Sequence, residues 1–222
     1  MNNAAIVSVQ GISRRFFRGV ETVTAVRDVS MQLCGGGLTV VAGPSGSGKT
    51  TLLSIIAGYE TADTGGIRTG DPLPTRTPTA QLGWRHIAFV PQTVTLFDEL
   101  TVAENVDLPA RLDPNARGRS TEELLELLQI EHLANRFPFQ ISGGEQQRTA
   151  IARALRLRPP LVLADEPTGH QDRGRVDLVL SVLRQHARPG NVVLISSHDQ
   201  DVIAGADRVI TIVDGAIAKA TT

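Results

Sequence analysis

A glycine-rich octapeptide lies between a short apolar run and a predicted helix, and its residues are Gly43-Pro44-Ser45-Gly46-Ser47-Gly48-Lys49-Thr50. It fits the pattern G-x-x-x-x-G-K-[ST], in which glycines let the backbone turn so that several N–H groups converge on phosphate oxygens. The preceding run, Leu38–Ala42, has the composition of a buried strand, and a helix is predicted over residues 51–57, closed by Gly58. Strand, loop and helix in this order predict a nucleotide-binding site.

Two side chains of the octapeptide have predicted roles in this site. Lys49 would reach the β- and γ-phosphates, and the Thr50 hydroxyl would be a ligand of Mg²⁺. Thr51, the next residue, is included among the predicted nucleotide contacts. The alternative is a glycine-rich turn that binds nothing, and such a match arises by chance in roughly one chain per hundred of this length.

An apolar run over residues 161–164 ends in two acidic residues, Asp165 and Glu166. At the carboxyl end of a strand, Asp165 would hold Mg²⁺ beside the phosphate loop if the two strands are neighbours. Glu166 would polarise an attacking water as a general base. The alternative is an acidic loop after a core strand.

Short apolar runs alternate with helical patterns along much of the chain. Strands are predicted at 6–10, 25–33, Leu38–Ala42, Ile87–Val90, 161–164, 192–195 and 209–213. Helices are predicted at 51–57, 143–158, 172–187 and 199–206. This alternation is typical of an α/β protein with a mostly parallel sheet covered on both faces, and Asp214-Gly215 indicates a tight hairpin between the last two strands.

Residues 93–158 have no strand pattern but contain three S/T-x-x-E capping boxes: Thr101/Glu104, Ser120/Glu123 and Ser142/Glu145. They predict an α-helical subdomain inserted in the α/β core. Residues 59–86 are predicted to hold short antiparallel strands and loops. The whole chain, 1–222, is therefore expected to be one domain, with the core and a β subdomain formed by 1–92 and 159–222 and the helical subdomain by 93–158.

Composition excludes several classes of function. The 222 residues include 22 Lys and Arg against 23 Asp and Glu, a net charge of -1, so general binding to nucleic-acid phosphates is not expected. Cys34 is the only cysteine, which excludes an internal disulfide. No apolar run approaches the roughly 20 residues of a spanning helix, and the N-terminus has no signal-peptide pattern, so a soluble, cytoplasmic chain is expected.

A second helix start with exposed backbone N–H groups is predicted at Ser142-Gly143-Gly144-Glu145. Ser142 would cap the helix, and two successive glycines would leave the first-turn N–H groups uncovered, which favours an anion site. The alternative is a merely capped helix, for which two first-turn glycines are a weakening choice.

Residues 141–148, ISGGEQQR, resemble the signature motif of ATP-binding-cassette (ABC) ATPases. Other elements of that family occur in the same order: Phe16 at the adenine-stacking aromatic, Gln92 at the Q-loop, Asp172 at the D-loop and His198 at the switch histidine. The resemblance covers nearly the whole chain. It implies a P-loop NTPase core of the RecA-like kind, with an antiparallel β subdomain and an inserted α-helical subdomain.

The resemblance also implies how the site is assembled. Ser142, Gly143, Gly144 and Glu145 of one copy would bind the ATP held by the other, in an ATP-dependent head-to-tail homodimer whose seam includes Asp172. His198 would hold the γ-phosphate and the water, and Gln92 would ligate Mg²⁺ and sense the nucleotide. A separate membrane permease would dock near residues 92–108, which would place the chain at the inner face of the cell membrane.

Glu145 in the signature and the Pro-Thr-Gly sequence after Glu166 resemble the lipoprotein-releasing, macrolide-exporting and cell-division branch of the family. This implies ATP-driven export or extraction of a substrate. His170 and Gln171 depart from the residues usual in that branch, at the predicted dimer seam, and Phe16 replaces the commoner tyrosine. Three alternatives stay open: an ATPase that sends a mechanical signal through a membrane protein without moving solute, a soluble ABC protein outside transport, and a non-hydrolytic binding module.

Overall fold

The computed structural model describes residues 5–19, 21–113, 115, 117–169 and 171–221. Its strands are β1 (Val7–Arg18), β2 (Glu21–Leu33), β3 (Leu38–Ala42), β4 (Thr64–Thr69), β5 (Ile87–Val90), β6 (Leu161–Asp165), β7 (Val192–Ser197), β8 (Arg208–Val213) and β9 (Ala216–Thr221). Its α-helices are α1 (Lys49–Ala57), α2 (Val102–Leu112), α3 (Thr121–Leu127), α4 (Gly143–Leu155), α5 (Arg173–Ala187) and α6 (Gln200–Ala204).

The central sheet has six strands in the order β5-β6-β7-β3-β8-β9. The first five are parallel, and β9 pairs antiparallel with β8. Every residue of β3, β6 and β7 is buried, because helices cover both faces of the sheet. The predicted mostly parallel α/β core is confirmed, as is the hairpin at Asp214-Gly215, where both residues have positive φ, 48° and 79°.

A second sheet is antiparallel and ordered β2-β1-β4, so its strands come from both sides of the octapeptide in sequence. β1 continues well past the predicted residue 10, because β4 pairs with its first half and β2 pairs with it as far as Arg18, which keeps its polar second half extended. Its apolar side chains, such as Val9 and Ile12, pack in one cluster with Leu52 and Ile56 of α1. This cluster joins the antiparallel sheet to the helix that follows the octapeptide.

The region from 93 to 158 is helical, and the structure shows no strand in its described residues. The capping boxes Thr101/Glu104 and Ser142/Glu145 form in both directions. The third prediction is half wrong: Ser120 accepts from the Glu123 N–H at 3.1 Å, but the Glu123 carboxylate lies 3.6 Å from Arg119 Nε, in an ion pair, instead of returning to the cap.

Several helix boundaries differ from the predictions. α1 begins at Lys49, because Gly48 takes a left-handed φ of 100° and leaves Lys49 and Thr50 in the first turn. α4 ends at Leu155, since Arg158 has φ 50° and the two prolines after it disfavour a helix. α6 covers only Gln200–Ala204. In the part of the chain that the structure describes, no helix has the length and apolar character needed to span a bilayer.

A buried asparagine holds the loop that precedes α2. Asn105 is fully buried; its Oδ1 accepts from the Phe97 N–H at 2.9 Å, and its Nδ2 donates to the carbonyl oxygens of Phe97 and Leu100 at 3.0 and 2.9 Å. A buried side-chain amide can satisfy these backbone groups where no strand or helix does. Asn105 therefore sets the course of the chain from Phe97 into α2.

We expect Asn105→Ala to lower the free energy of unfolding by about 1–3 kcal/mol, because buried backbone groups of the loop lose their partner. Urea denaturation followed by circular dichroism measures the change. Asn115→Ala, at an exposed loop position, is the matched control and should change stability by less than about 0.5 kcal/mol. Equal losses in the two variants would contradict the anchoring role of Asn105.

Candidate active site

The predicted catalytic groups meet at one edge of the central sheet. Gly43 follows β3, Gln92 follows β5, Glu166 follows β6 and His198 follows β7. Since these strands are parallel, their carboxyl ends lie at the same edge. There they surround a cavity of ≈ 690 Å³ lined by Phe16, Phe17, Val23, Ala25, Ser45, Gly46, Gly48, Lys49, Thr50, Thr51, Gln92, Glu166 and His198.

The sequence predicts Asp165 beside the phosphate loop on the condition that the strands carrying the loop and the two acids are neighbours. They are not neighbours, so that condition is wrong. β7 lies between β3 and β6 and pairs with both. Ser196 of β7 is in register with Val41 on one side and with Asp165 on the other. The strand of the phosphate loop and the strand of the two acids are therefore connected through β7.

Two glycines of the octapeptide are held so tightly that no larger residue fits. A Cβ at Gly48 would lie 2.0 Å from the carbonyl oxygen of Ala25, and one at Gly43 would lie 2.2 Å from that of Ile212. Both have positive φ, 100° and 153°. The loop is thus wedged between β2 and β8, and its shape is set before any ligand arrives.

Lys49 and Ser47 are the buried polar side chains of the loop. Lys49 is 7 % exposed, and its Nζ donates to the carbonyl oxygens of Gly43 and Pro44 at 2.9 and 3.0 Å. These two bonds leave one ammonium donor for a phosphate oxygen. Ser47 Oγ is buried without a hydrogen-bond partner, and Ser47 does not line the cavity.

Asp165 and Glu166 form one network with Ser196 and His198. Ser196 Oγ donates to Asp165 Oδ1 and accepts from the Glu166 N–H at 2.9 Å. Glu166 Oε1 lies 2.9 Å from His198 Nδ1. Glu166 has φ 46°, a left-handed conformation that side chains rarely adopt and that is typical of functional positions. The general-base candidate and the switch histidine are therefore in direct contact.

The residues predicted to hold Mg²⁺ fit a hard dication, which prefers oxygen ligands. Asp165 is 1 % exposed and its Oδ2 is buried without a partner, so a carboxylate oxygen is free for the metal or for a metal-bound water. Thr50 and Gln92 supply a hydroxyl and an amide oxygen at the cavity wall. Asp165 itself lies behind the wall and does not line the cavity.

Two adjacent aromatic residues line the end of the cavity formed by β1. Phe16 is half-buried, with the guanidinium carbon of Arg14 4.8 Å from its ring centroid, and Phe17 is 78 % exposed. Sequence reasoning missed Phe17, and also Val23 and Ala25 of β2. Neighbouring residues of a regular strand point to opposite faces, and the register shift between Arg14 and Arg15 is a local irregularity that the sequence does not signal.

The signature residues lie outside this cavity in a single chain. Ser142 and Gly143 are exposed at the start of α4, and a Cβ at Gly143 would meet nothing within 4 Å. Ser142 Oγ donates to Glu145 Oε2 at 2.8 Å, and the Ser142 N–H holds the pKa of the Glu145 carboxyl below its usual value. The first turn is thus capped and open. None of Ser142, Gly143, Gly144 or Glu145 lines the cavity beside Lys49.

The predicted D-loop is also outside that cavity. Asp172 is exposed and caps α5 by accepting from the Arg175 N–H at 3.1 Å. Gln171 lines a second cavity of ≈ 400 Å³ together with Gln147, Glu166 and His198, and its Oε1 is buried without a partner. His170, the other departure from the family pattern, lies outside the described residues.

Comparison with known proteins identifies the family. Residues 26–169 match the family described as ABC transporter. The chain is 37 % identical over 220 residues to the macrolide export ATP-binding/permease protein MacB of Shigella flexneri, covering 96 % of this chain and 34 % of that protein. It is 39 % identical over 225 residues to the sulfate/thiosulfate import ATP-binding protein CysA 2 of Rhizobium meliloti, covering 97 % of this chain and 59 % of that protein. Both export and import are thus represented among the relatives.

Solved structures of ABC cassettes also align with this chain. A dimeric structure of the ATP-binding cassette MJ0796 in a post-hydrolysis state, bound to ADP and Pi, aligns with a TM-score of 0.85 at 30 % identity and covers 97 % of this chain and 98 % of that one. A second dimeric structure of the same bacterial ABC transporter cassette has a TM-score of 0.84. The chain spans about a third to three-fifths of the length of the curated relatives, and nearly all of this cassette. It therefore belongs to the ABC transporter family and has the fold of an ABC ATPase cassette.

Proposed function

We propose that this chain hydrolyses ATP at a head-to-tail dimer interface and thereby drives export or extraction of a substrate by a membrane permease. The observation that carries the proposal is the division of the site. Lys49, Glu166 and His198 line one cavity, whereas the open helix start at Gly143 does not line it. A second copy that brings its Gly143 to this cavity would complete the site.

Within one protomer, the side chains divide the work of phosphoryl transfer to water. Lys49 and the loop N–H groups stabilise negative charge on the phosphates, and such preorganised donors supply most of the catalysis in this chemistry. Mg²⁺, held by Thr50, Gln92 and Asp165, would neutralise charge on the phosphate oxygens when bound. Phe16 would stack on the adenine.

Glu166 would act as the general base. Its carboxylate takes a proton from water as the water oxygen bonds to the γ-phosphorus, and the bond from that phosphorus to the β–γ bridging oxygen breaks, so ADP and phosphate are released. His198 Nδ1 donates to Glu166 Oε1 and keeps the carboxylate oriented. Phosphate oxygens accept hydrogen bonds, so Nε2 would hold the γ-phosphate only in the form of His198 in which both ring nitrogens carry a proton.

The partner protomer would supply the second half of the phosphate site. The α4 start presents Ser142, Gly143 and Gly144 as an uncovered, positively polarised helix terminus. Asp172, exposed at the start of α5, would lie in the same seam. ATP would join the two copies, and its hydrolysis would let them separate.

The direction of transport is proposed from two short sequences of this chain. Glu145 in the signature and Pro167-Thr168-Gly169 after the general base resemble the branch that includes macrolide exporters. The MacB relatives support export, whereas the CysA relative is named for import. We therefore propose export or extraction, at the inner face of the cell membrane.

A groove beside the Q-loop is the proposed docking site for the permease. It has a volume of ≈ 380 Å³ and lies between the edge strand β5 and the helices α2 and α4. Its wall includes Tyr59, Trp84, Phe89 and Arg153, with the rings of Tyr59 and Phe89 5.5 Å apart. An exposed aromatic groove of this kind is typical of sites that bind a short helix of a partner.

Arg153 connects this groove to the residues after Gln92. Its guanidinium donates to the carbonyl oxygen of Thr95 at 2.7 Å and lies 5.9 Å from the ring centroid of Phe97. Because Arg153 belongs to α4, a helix docked in the groove would contact a residue of the signature helix that is also hydrogen-bonded to the Q-loop segment. We propose that the helical subdomain of residues 93–158 moves in this way with the permease.

We expect Glu166→Gln to retain ATP binding and to slow turnover by roughly 10²–10⁴-fold, because the amide cannot accept the proton of the attacking water. It should also accumulate a nucleotide-bound dimer. Phosphate release measures turnover, and size-exclusion chromatography with ATP measures the dimer. Glu122→Gln, at an exposed position of α3, should behave like the parent. Near-parental turnover in Glu166→Gln would remove this residue from the base role.

The head-to-tail arrangement predicts an ATP-dependent cross-link between protomers. In a Cys34→Ser, Glu166→Gln background, Gly143→Cys and Ser45→Cys should form a disulfide-linked dimer under mild oxidation when ATP is present. Both positions are exposed, and a side chain at 143 meets no neighbour. Replacing Gly143→Cys by Gly83→Cys, another open and exposed position, is the control. Cross-linking that ignores ATP, or that is equal in the control, would refute the arrangement.

The docking proposal predicts that altered charge at the groove disrupts assembly with the membrane subunit. Asp98→Lys with Glu99→Lys, or Tyr59→Glu, changes exposed side chains at or near the groove and should abolish co-purification with that subunit. Lys219→Glu, on β9 at the opposite edge of the sheet, should leave it intact. If the groove variants co-purify like the parent, the permease docks elsewhere.

A further inference from the structure

We infer that Ser196 is a positioning residue that orients both the magnesium-binding carboxylate of Asp165 and the general base Glu166. The inference rests on the proposed function, because it concerns how the catalytic groups of that site are held. Ser196 touches neither the cavity surface nor a nucleotide contact named above. It would act through Asp165 and Glu166 alone.

Ser196 occupies the strand between the two halves of the site. It lies on β7, is fully buried, and pairs in register with Asp165 on β6 and Val41 on β3. Such a position in an all-buried parallel strand normally holds an apolar residue. A hydroxyl at this place therefore needs polar partners, and it has two.

The hydroxyl uses its proton and one lone pair on different catalytic residues. It donates to Asp165 Oδ1 and accepts from the Glu166 N–H at 2.9 Å. A hydroxyl carries one donor and two acceptor sites, so a single side chain can serve both groups. The positions of the two acidic residues are thereby coupled through one oxygen atom.

Because of this bond, one oxygen of the Asp165 carboxylate is hydrogen-bonded and the other is not. Oδ1 is held by Ser196, whereas Oδ2 is buried without a partner. Hydrogen bonds to a metal ligand fix its orientation, and losing such a partner typically costs roughly 10–100-fold in metal affinity or activity. Ser196 thus aims Oδ2 for the metal or its water.

For Glu166 the consequence is support of an unfavourable backbone conformation. Its φ of 46° is left-handed, and such conformations persist only where surrounding contacts hold them. The bond from its N–H to Ser196 is one of these contacts, and the conformation brings Oε1 to 2.9 Å from His198 Nδ1. Losing the hydroxyl would leave both this N–H and Asp165 Oδ1 unpaired.

The test distinguishes an effect on the positioning of the metal-binding carboxylate from a general loss of nucleotide binding. Binding of a non-hydrolysable ATP analogue is measured by calorimetry in MgCl₂ and in EDTA, for the parent, Ser196→Ala and Ser196→Thr. We expect Ser196→Ala to lose roughly tenfold in the affinity measured with Mg²⁺, the lower end for such supporting residues, with no change in EDTA. ATP turnover should fall by roughly 10–100-fold with little change in KM at saturating Mg²⁺. Ser196→Thr keeps the hydroxyl and should keep the parental values.

Ser197→Ala is the matched control, since it removes a neighbouring buried hydroxyl whose partner is the Asp199 N–H. The increase in affinity for the ATP analogue between EDTA and MgCl₂ should be the same in Ser197→Ala as in the parent. If Ser196→Ala does not fold, Ser196→Cys, with a similar size but a weak donor, should show the same losses.

Three results would overturn the inference. The first is a Ser196→Ala variant whose turnover, and whose increase in affinity for the ATP analogue between EDTA and MgCl₂, equal those of the parent. The second is a Ser196→Ala variant that loses as much affinity in EDTA as in MgCl₂. The third is a Ser196→Thr variant with the same losses as Ser196→Ala. A parent chain that binds no nucleotide with Mg²⁺ would instead refute the proposed function itself.

Discussion

Strands that are buried on both faces and run parallel expose polar groups to a ligand only where they end, and the site of this molecule depends on that constraint. The buried strands β3, β6 and β7 release their chains at one edge of the sheet. The phosphate loop, Glu166 and His198 each follow such a strand and Asp165 ends one, so they lie close together although more than 140 residues separate Lys49 from His198 in sequence. Chemistry is concentrated there because the interior of the sheet cannot accommodate unpaired polar groups.

The interior nevertheless holds a short polar path across the sheet. Ser196 joins Asp165 to the backbone of Glu166, and Glu166 contacts His198. Because β7 separates the strands of the phosphate loop and of Asp165, this path is the direct connection between the two acids and the strand next to the loop. These hydrogen bonds orient the groups that they join and leave Asp165 Oδ2 unpaired.

One chain carries two elements whose backbone N–H groups are suited to an anion, and one of them lines the cavity whereas the other does not. Lys49 and the loop glycines form a closed, pre-shaped cradle, whereas the α4 start at Gly143 is capped by Ser142 and open to solvent. The aromatic groove with Arg153 is a third unfilled surface, joined to the α4 helix. These surfaces are the structural basis for the proposed dimer and permease contacts, since each exposes groups that a partner would cover.

Local patterns in the sequence determined the strand–loop–helix around Lys49, the alternation of β3 to β8 with helices, the Asp214-Gly215 hairpin and the capped start of α4, because each depends on residues within a few positions of one another. Only the tertiary structure decided the strand order that inserts β7 between β3 and β6, the lining of the cavity by Phe17 and Val23, and the roles of Ser196 and Asn105. Those features depend on which distant segments pair and on how backbone groups find partners once packed. A serine in a buried strand has the same local sequence signal whatever lies on the neighbouring strand, so its partners are known only after the sheet is assembled.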